Sequence, residues 1–368
     1  MENAFKGYFK DKRVLVTGHT GFKGSWLCMW LHELGANVTG YSIGFPSEPS
    51  LFKVCSLEKR VNHNIGDVRD YDHLHQVFQD TKPDVVFHLA SQPLVRLSYE
   101  EPKLTMETNV MGTLNILEAT RQCPSIKSLV IVTSDKCYEN REQVWGYKEN
   151  DPLGGDDPYS GSKGAAEIVF RSYYRSFLRH SKDLGAVTVR AGNVVGGGDW
   201  ARDRIVPDVF RALSQKEVVN VRSPMAVRPW QYVLEPLSGY MWLAARVNED
   251  PLTFSGPWNF GPLETSARCV RDLVAKVLEE WGSGEWEDIS ASEDRRLHEA
   301  GWLRLSCDKA HMMLPWSAVL SFDENLGMTV RWYKNHYDSP SQNLYRFSVH
   351  QIEEYTRLAA ERGQLWAT

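Results

Sequence analysis

Tyr159-Ser-Gly-Ser-Lys163 sets a phenol and an ammonium group four residues apart. On a helix that spacing puts both side chains on one face. A free phenol titrates at about 10, too high for a base at neutral pH. A neighbouring cation favours the phenolate, which can then take a hydroxyl proton while hydride leaves the same carbon. A second candidate group is Thr133-Ser134-Asp135-Lys136-Cys137-Tyr138. An acid and a base side by side suit a pair of proton transfers such as an elimination of water. Lys136 acts as a base only if desolvation and nearby positive charge bring it down from about 10.4. Asp135 acts as an acid only if burial keeps it protonated. On residues alone, Asp135 and Lys136 read rather as a solvated ion pair at a strand end.

The third group is Thr17-Gly18-His19-Thr-Gly21-Phe22-Lys23-Gly24. Glycines at these points permit a tight turn and a close backbone approach to a pyrophosphate. The helix that follows offers free N–H groups and the positive end of its dipole. A strand before the turn and a helix after it are what make the glycines informative.

The elements that must position these groups alternate short β-branched runs with helical patterns, as in βαβ units on a parallel sheet. Strands are expected at 13–17, 37–41, 61–64, 84–89, 128–133 and 186–190, and helices at 22–34, 71–79, 104–121 and about 158–178. The glycine turn then follows the first strand, Ser134-Asp135-Lys136 ends the fifth, and Tyr159 and Lys163 share the next helix. Strand ends on this edge of such a sheet open into the ligand crevice. After Asn193 the segments shorten and Pro and Trp become frequent. Residues 1–195 with about 231–258 are read as one domain, and about 196–230 with 259–368 as a second.

The G-x-x-G-x-x-G spacing, with Tyr-x-x-x-Lys at its place downstream, resembles the extended short-chain dehydrogenase/reductase family over nearly the whole chain. The resemblance implies a doubly wound parallel Rossmann α/β sheet with a smaller C-terminal α/β substrate-binding domain. It implies a nicotinamide cofactor held by Gly18, His19, Gly21, Phe22, Lys23 and Gly24. Asp67-Val68 would meet the adenine, Leu89 and Ala90 the ribose and phosphates, and Asn109 would be the family's helix asparagine. Tyr159 and Lys163 would complete this set. Asn109 reads equally well as a buried helix amide. The second strand ends in Val38-Thr-Gly-Tyr-Ser-Ile-Gly-Phe with no acid for the adenosine ribose, and His19 and Lys23 add positive potential nearby. The resemblance favours NAD, with NADP left open.

Within that family, a hydroxyl residue followed by an aspartate and a base resembles the nucleotide-sugar 4,6-dehydratases. Most carry Asp-Glu, whereas this chain has Asp135-Lys136 after Ser134. The Asp-Lys form, with Gly18-His-Thr-Gly-Phe-Lys-Gly-Ser-Trp26, resembles the members that act on CDP-glucose. The resemblance implies oxidation at sugar C4, loss of water across C5–C6 and return of hydride to C6, giving CDP-4-keto-6-deoxyglucose for lipopolysaccharide O-antigen sugars. Lys136 would be the base and Asp135 the acid. Asn193 and Arg228, in Arg228-Pro-Trp-Gln-Tyr-Val233, would bind the diphosphate. Arg204 would lie along the nucleotide, and Gln92 or Arg96 would reach the hexose. The alternatives are a nucleotide-sugar 4-epimerase, a dehydratase for another base, and a cofactor-binding regulatory protein without catalysis.

The totals fit a folded enzyme of ordinary composition. In 368 residues, 42% are apolar and 24% charged, and the net charge of -5 gives no basic excess for nucleic acid or an anionic membrane. No apolar run approaches the length of a membrane span. Six dispersed cysteines, with no CxxC pair, suit reduced thiols in the cytoplasm. Thirteen tryptophans are read mainly as core. A homodimer or homotetramer is expected, since relatives pair the helices near 104–121 and 158–178. Ile168, Phe170, Tyr173 and Phe177 are candidates for that face or for the core.

Overall fold

The computed structural model describes residues 3–263, 267–292, 303–338 and 343–368. Its centre is a seven-stranded parallel sheet in the order β11-β6-β5-β4-β1-β2-β3. These strands are β1 (Arg13–Thr17), β2 (Asn37–Ser42), β3 (Asn62–Ile65), β4 (Val85–His88), β5 (Ser128–Val132), β6 (Gly185–Ala191) and β11 (Gly256–Phe260). Every residue of β4, β5 and β6 is buried. Helices cover both faces, which is why these strands read as continuous apolar runs rather than alternating ones. Strand order reverses between β1 and β4, and the carboxyl ends of those strands bound the crevice such sheets use for ligands.

Local signals fix the helices that matter. Phe22–Glu33 starts at Gly21 with no side-chain cap. Pro158–Ser176 has Pro158 in its first turn, and Asp157 caps it by accepting the Ser160 N–H at 2.9 Å. The helix expected over 104–121 begins at Pro102 and passes through a π turn at Glu107–Met111 before continuing as Gly112–Arg121. Such π turns occur often at functional sites, and this one carries Asn109.

Beyond β6 the chain forms short strand pairs. These are β7 (Val194–Val195) with β10 (Gln231–Tyr232), β8 (Val219–Val221) with β13 (Trp286–Asp288), and β9 (Val227–Pro229) with β12 (Ala267–Cys269). Residues 234–260 return to the main sheet as helix Leu234–Glu249 and edge strand β11, which pairs with β6. Part of the segment 259–368, at 264–266, 293–302 and 339–342, lies outside the described residues. Trp26, Trp30, Trp258, Trp316, Trp332 and Trp366 are fully buried and join both parts in one apolar cluster. Phe170 is buried in the cluster on the other face, whereas Ile168 and Phe177 are half exposed, so Phe170 belongs to the core and not to an outer helix face. Among the described residues no helix is long and apolar enough to cross a membrane.

Candidate active site

The glycine turn is built by close packing. Gly18 has φ +72°, and a Cβ there would lie 2.6 Å from the Ala90 backbone nitrogen. A Cβ on Gly24 would lie 2.2 Å from the Gly18 carbonyl oxygen. The turn therefore rests on the end of β4, and the uncapped N–H groups of helix Phe22–Glu33 open beside it. Thr17 Oγ1 accepts from the Ala90 N–H at 3.2 Å and meets His88 Nδ1 at 2.7 Å, which locks β1 to β4 at the crevice. Such a cradle suits the pyrophosphate of a dinucleotide. Phe22 is half-buried against the loop at Gly196, and Leu89 and Ala90 are half-buried at the crevice edge. Asp67 pairs with Arg69 at 2.6 Å, and Val68 is buried under Gly112.

His19 adds no positive potential to this end, contrary to the sequence expectation. It is fully buried, its ring bonded to Ser42 Oγ at 2.9 Å and to His63 Nδ1 at 2.6 Å. Burial, and then the facing His63, push it down to about 3, so it is neutral. Lys23 also differs from expectation. It turns inward over the Tyr240 ring, 5.7 Å from its centroid. Burial and the charges of Lys163 and Arg204 bring it down to about 7, against the pull of Asp135.

At the end of β5 the chain enters a tight turn, Asp135–Cys137. Ser134 Oγ donates to Asp135 Oδ1 at 2.9 Å and accepts the Lys136 N–H at 3.2 Å. Ser134, Asp135, Tyr159 and Lys163 are all buried, while Lys136 is half-buried. Burial raises Asp135 against the opposing hydrogen bond of Ser134 and the charges of Lys136 and Arg228. Lys163 Nζ lies 5.9 Å from the Tyr159 ring centroid and 3.5 Å from the Val132 carbonyl oxygen. Burial lowers it to about 8.

Tyr159 meets a third expectation only in part. Its pKa is not depressed by the adjacent lysine. Burial raises it to about 12, with the hydrogen bond of Ser134 and the charge of Arg204 acting the other way. In this arrangement the phenol keeps its proton until further positive charge enters the crevice.

The amides reach less far than the charges. Asn109 donates to Gln92 O at 3.1 Å and Ser162 Oγ at 2.8 Å, and accepts the Gln92 N–H at 2.8 Å. Both its amide protons serve to tie the loop after β4 to the Tyr159 helix, beside Lys163. The Gln92 side chain is likewise bonded to Leu94 and Thr105. Arg96 faces Asp203 at 3.9 Å, across the crevice mouth. Arg204 is held by Asp199 at 2.9 Å, and its charge acts on both Tyr159 and Lys23. Arg228 is buried on β9 and acts on Asp135, and Asn193 lies between β6 and β7, its carbonyl accepting the Gln231 N–H.

The family described as GDP-mannose 4,6 dehydratase matches residues 15–329. The chain belongs to this family. It is 48% identical to the CDP-glucose 4,6-dehydratase of Salmonella typhimurium, covering 89% of this chain and 92% of that protein. It is 24% identical to the dTDP-glucose 4,6-dehydratase of Haemophilus influenzae, over 87% and 97%. Among solved structures, DesIV, the dTDP-glucose 4,6-dehydratase of Streptomyces venezuelae with NAD and TYD bound, matches with a TM-score of 0.75 at 22% identity, over 89% of this chain and 99% of that one.

Within this dehydratase fold, two features escaped the sequence reading. One is the inward turn of Lys23. The other is the buried pair Glu167–Arg190 behind the turn at β5. A signal for the pair was present: Arg190 is a lone charge in the apolar strand Ala186-Val-Thr-Val-Arg190, and Glu167 continues the face of Tyr159 and Lys163.

Proposed function

We propose that this chain is a CDP-glucose 4,6-dehydratase using NAD. The observation that carries the reading is the single buried cluster of Ser134, Asp135, Tyr159 and Lys163, with Lys136 at its edge. The 48% identity to a protein named for this activity supports the choice of sugar nucleotide. NAD in solved structures of the same fold supports the cofactor.

Bound NAD supplies the acceptor and later the donor of hydride. Tyr159 takes the proton of the C4 hydroxyl, with Ser134 bonded to the phenol and Lys163 on the same helix face. The resulting C4 ketone acidifies the C5 proton, which Lys136 removes. Asp135, whose carboxyl burial raises, donates its proton to the departing C6 hydroxyl. The half-buried Lys136 and buried Asp135 thus divide base and acid duties between two depths of one turn. Gly18, Gly21 and Gly24 hold the pyrophosphate, with Phe22, Asp67, Val68, Leu89 and Ala90 along the rest of the dinucleotide. Arg228, Arg204 and Asn193 hold the nucleotide diphosphate of the substrate, an arginine fork being well matched to phosphate oxygens. Arg96 and Gln92 border the hexose. Residues 1–195 with 231–258 serve the cofactor, and 196–230 with 259–368 the sugar nucleotide.

The protein works in the cytoplasm, in O-antigen sugar synthesis, as a homo-oligomer. Half-exposed Met106, Met111, Ile168 and Phe177 on the two outer helices support the last point.

Incubation with CDP-glucose and NAD tests the reading, against dTDP-, UDP- and GDP-sugars and NADP. The expected outcome is a 4-keto-6-deoxy product from CDP-glucose, seen by its absorbance in strong alkali. A product that differs from substrate only at C4, or conversion of another sugar nucleotide alone, overturns it.

A further inference from the structure

A charged residue stands inside the main sheet. Arg190 on β6 and Glu167 on the Tyr159 helix are each only 2% exposed and are joined at 2.8 Å. The Glu167 carboxylate accepts Nε and Nη2 of Arg190, both at 2.8 Å, in a forked contact. It also accepts Thr133 Oγ1 at 2.5 Å and Thr188 Oγ1 at 2.8 Å. The remaining nitrogen, Arg190 Nη1, donates to Tyr138 Oη at 2.6 Å and to the Glu149 carbonyl at 3.1 Å. Tyr138 Oη in turn donates to Asn259 Oδ1 at 2.8 Å, on β11.

The partners of this pair are informative. Thr133 immediately precedes Ser134, and Tyr138 immediately follows Cys137. The pair therefore grips both flanks of the turn that carries Ser134, Asp135 and Lys136. Glu167 lies one helical turn beyond Lys163, so the same pair also grips the helix that carries Tyr159.

Stability does not account for such a pair. Taking both charges out of water costs several kcal/mol per ion, and apolar residues of similar volume are often as stable or more so. What apolar residues lack is orientation. A planar fork on a carboxylate has one geometry, and Arg190 has donors to spare for a third element. A fixed registry is the best-attested use of a buried ion pair. The reaction proposed above needs such registry, because its redox groups sit on the helix and its elimination groups on the turn. Both sets must address one sugar, and a displacement of about 1 Å costs roughly a hundredfold in rate.

We propose that Glu167 and Arg190 are positioning residues that hold the Tyr159–Lys163 helix in register with the Ser134–Lys136 turn. The inference rests on the dehydratase reading.

Its test is the paired replacement Glu167→Met with Arg190→Met, which removes both charges together. The expected protein is folded, with a thermal midpoint close to wild type and an unchanged KM for CDP-glucose, and with kcat lower by roughly a hundredfold. Reduced nicotinamide accumulates during turnover, read by its near-ultraviolet absorbance, because oxidation at C4 outruns a misaligned elimination. Tyr138→Phe deletes one hydroxyl and keeps the ion pair, and it shows the same absorbance with about a tenfold loss of kcat. A folded paired variant with wild-type kcat and no such absorbance overturns the inference. If the paired variant does not fold, Tyr138→Phe decides alone, and wild-type behaviour there overturns it. Wild-type protein inert on CDP-glucose overturns the substrate assignment instead. The same split between kcat, KM and absorbance is then read on whichever nucleotide sugar it converts.

Discussion

Two groups of buried charge flank the end of β5, and they are built on opposite terms. In Glu167–Arg190 both arms of the fork are 2.8 Å long, and the pair fixes both charges. Burial raises the Glu167 carboxyl, but Arg190 and the two threonines more than reverse this and hold it below the usual carboxylate range. In the group formed by Lys23, Asp135, Tyr159 and Lys163, burial dominates instead. It drives Lys23 to about 7, Lys163 to about 8 and Tyr159 to about 12, and it raises Asp135. A charge that is locked suits alignment, and a group whose protonation is poised suits proton transfer. The two groups are separated by little more than the turn Asp135–Cys137, so the protein keeps a rigid and a reactive polar cluster back to back.

The comparison is broken most directly at its reactive end. Tyr159→Phe keeps the ring and removes the phenol bonded to Ser134, and kcat is expected to fall by on the order of 10³-fold. Cofactor reduction should fall with it, since the first proton transfer is the one removed; stopped-flow absorbance checks this, and near-normal reduction would take Tyr159 out of the chemistry. At the rigid end, Glu167→Gln leaves Arg190 buried and uncompensated. A loss of about 3 kcal/mol in unfolding free energy is expected from denaturant titration, because breaking a buried pair on one side strands the other charge. A loss within error of zero would mean that water reaches Arg190. Lys136→Ala separates the two halves of the reactive group. Overall turnover should drop by on the order of a hundredfold while reduced cofactor still forms on mixing with CDP-glucose. Absent reduction would assign Lys136 to binding and not to elimination.

The contrast between these clusters also marks what the sequence could carry. The middle of the sheet was legible because β1, β4, β5 and β6 are rich in β-branched residues, and β1 and the start of the Phe22 helix fall where the pattern puts them, whereas edge strand β11, Gly-Pro-Trp-Asn-Phe, carries no such run and was not expected. The glycine turn was legible because positive φ and contact with Ala90 leave glycine as the residue that fits Gly18. The Tyr159–Lys163 face was legible from helical spacing. The electrostatics were not. His19 looks cationic in a motif, yet Ser42 and His63, which bury and neutralise its ring, arrive from two other strands. Lys163 looks able to depress Tyr159, yet burial raises the phenol, and groups around it such as Arg204 and Tyr240 come from segments remote in sequence. Phe170 and Ile168 sit two residues apart, and only the packing of the helix decides that one is core and the other half exposed. Spacing gives the face a residue shares, whereas the ionisation of that residue depends on everything packed around it.

The smallest expected effect carries the sharpest sign. Asp135 is buried with its folded pKa raised above the unfolded value, so the folded state retains a proton that the unfolded chain releases. Stability then falls as pH rises through the window from the ordinary aspartate range up to the raised value, and stays lower above it. Asp135→Asn removes that titration and keeps the shape. The variant should match wild type in acid and exceed it at neutral pH by on the order of 1 kcal/mol, while losing the acid needed for elimination. Denaturant titrations of both proteins across acid and neutral pH supply the difference. The opposite sign at Asp135 and at Glu167 is the point of the measurement. If Asp135→Asn destabilises at neutral pH as Glu167→Gln does, Asp135 is a charged partner of Lys136 and Arg228, and the proton for the C6 hydroxyl must come from another group.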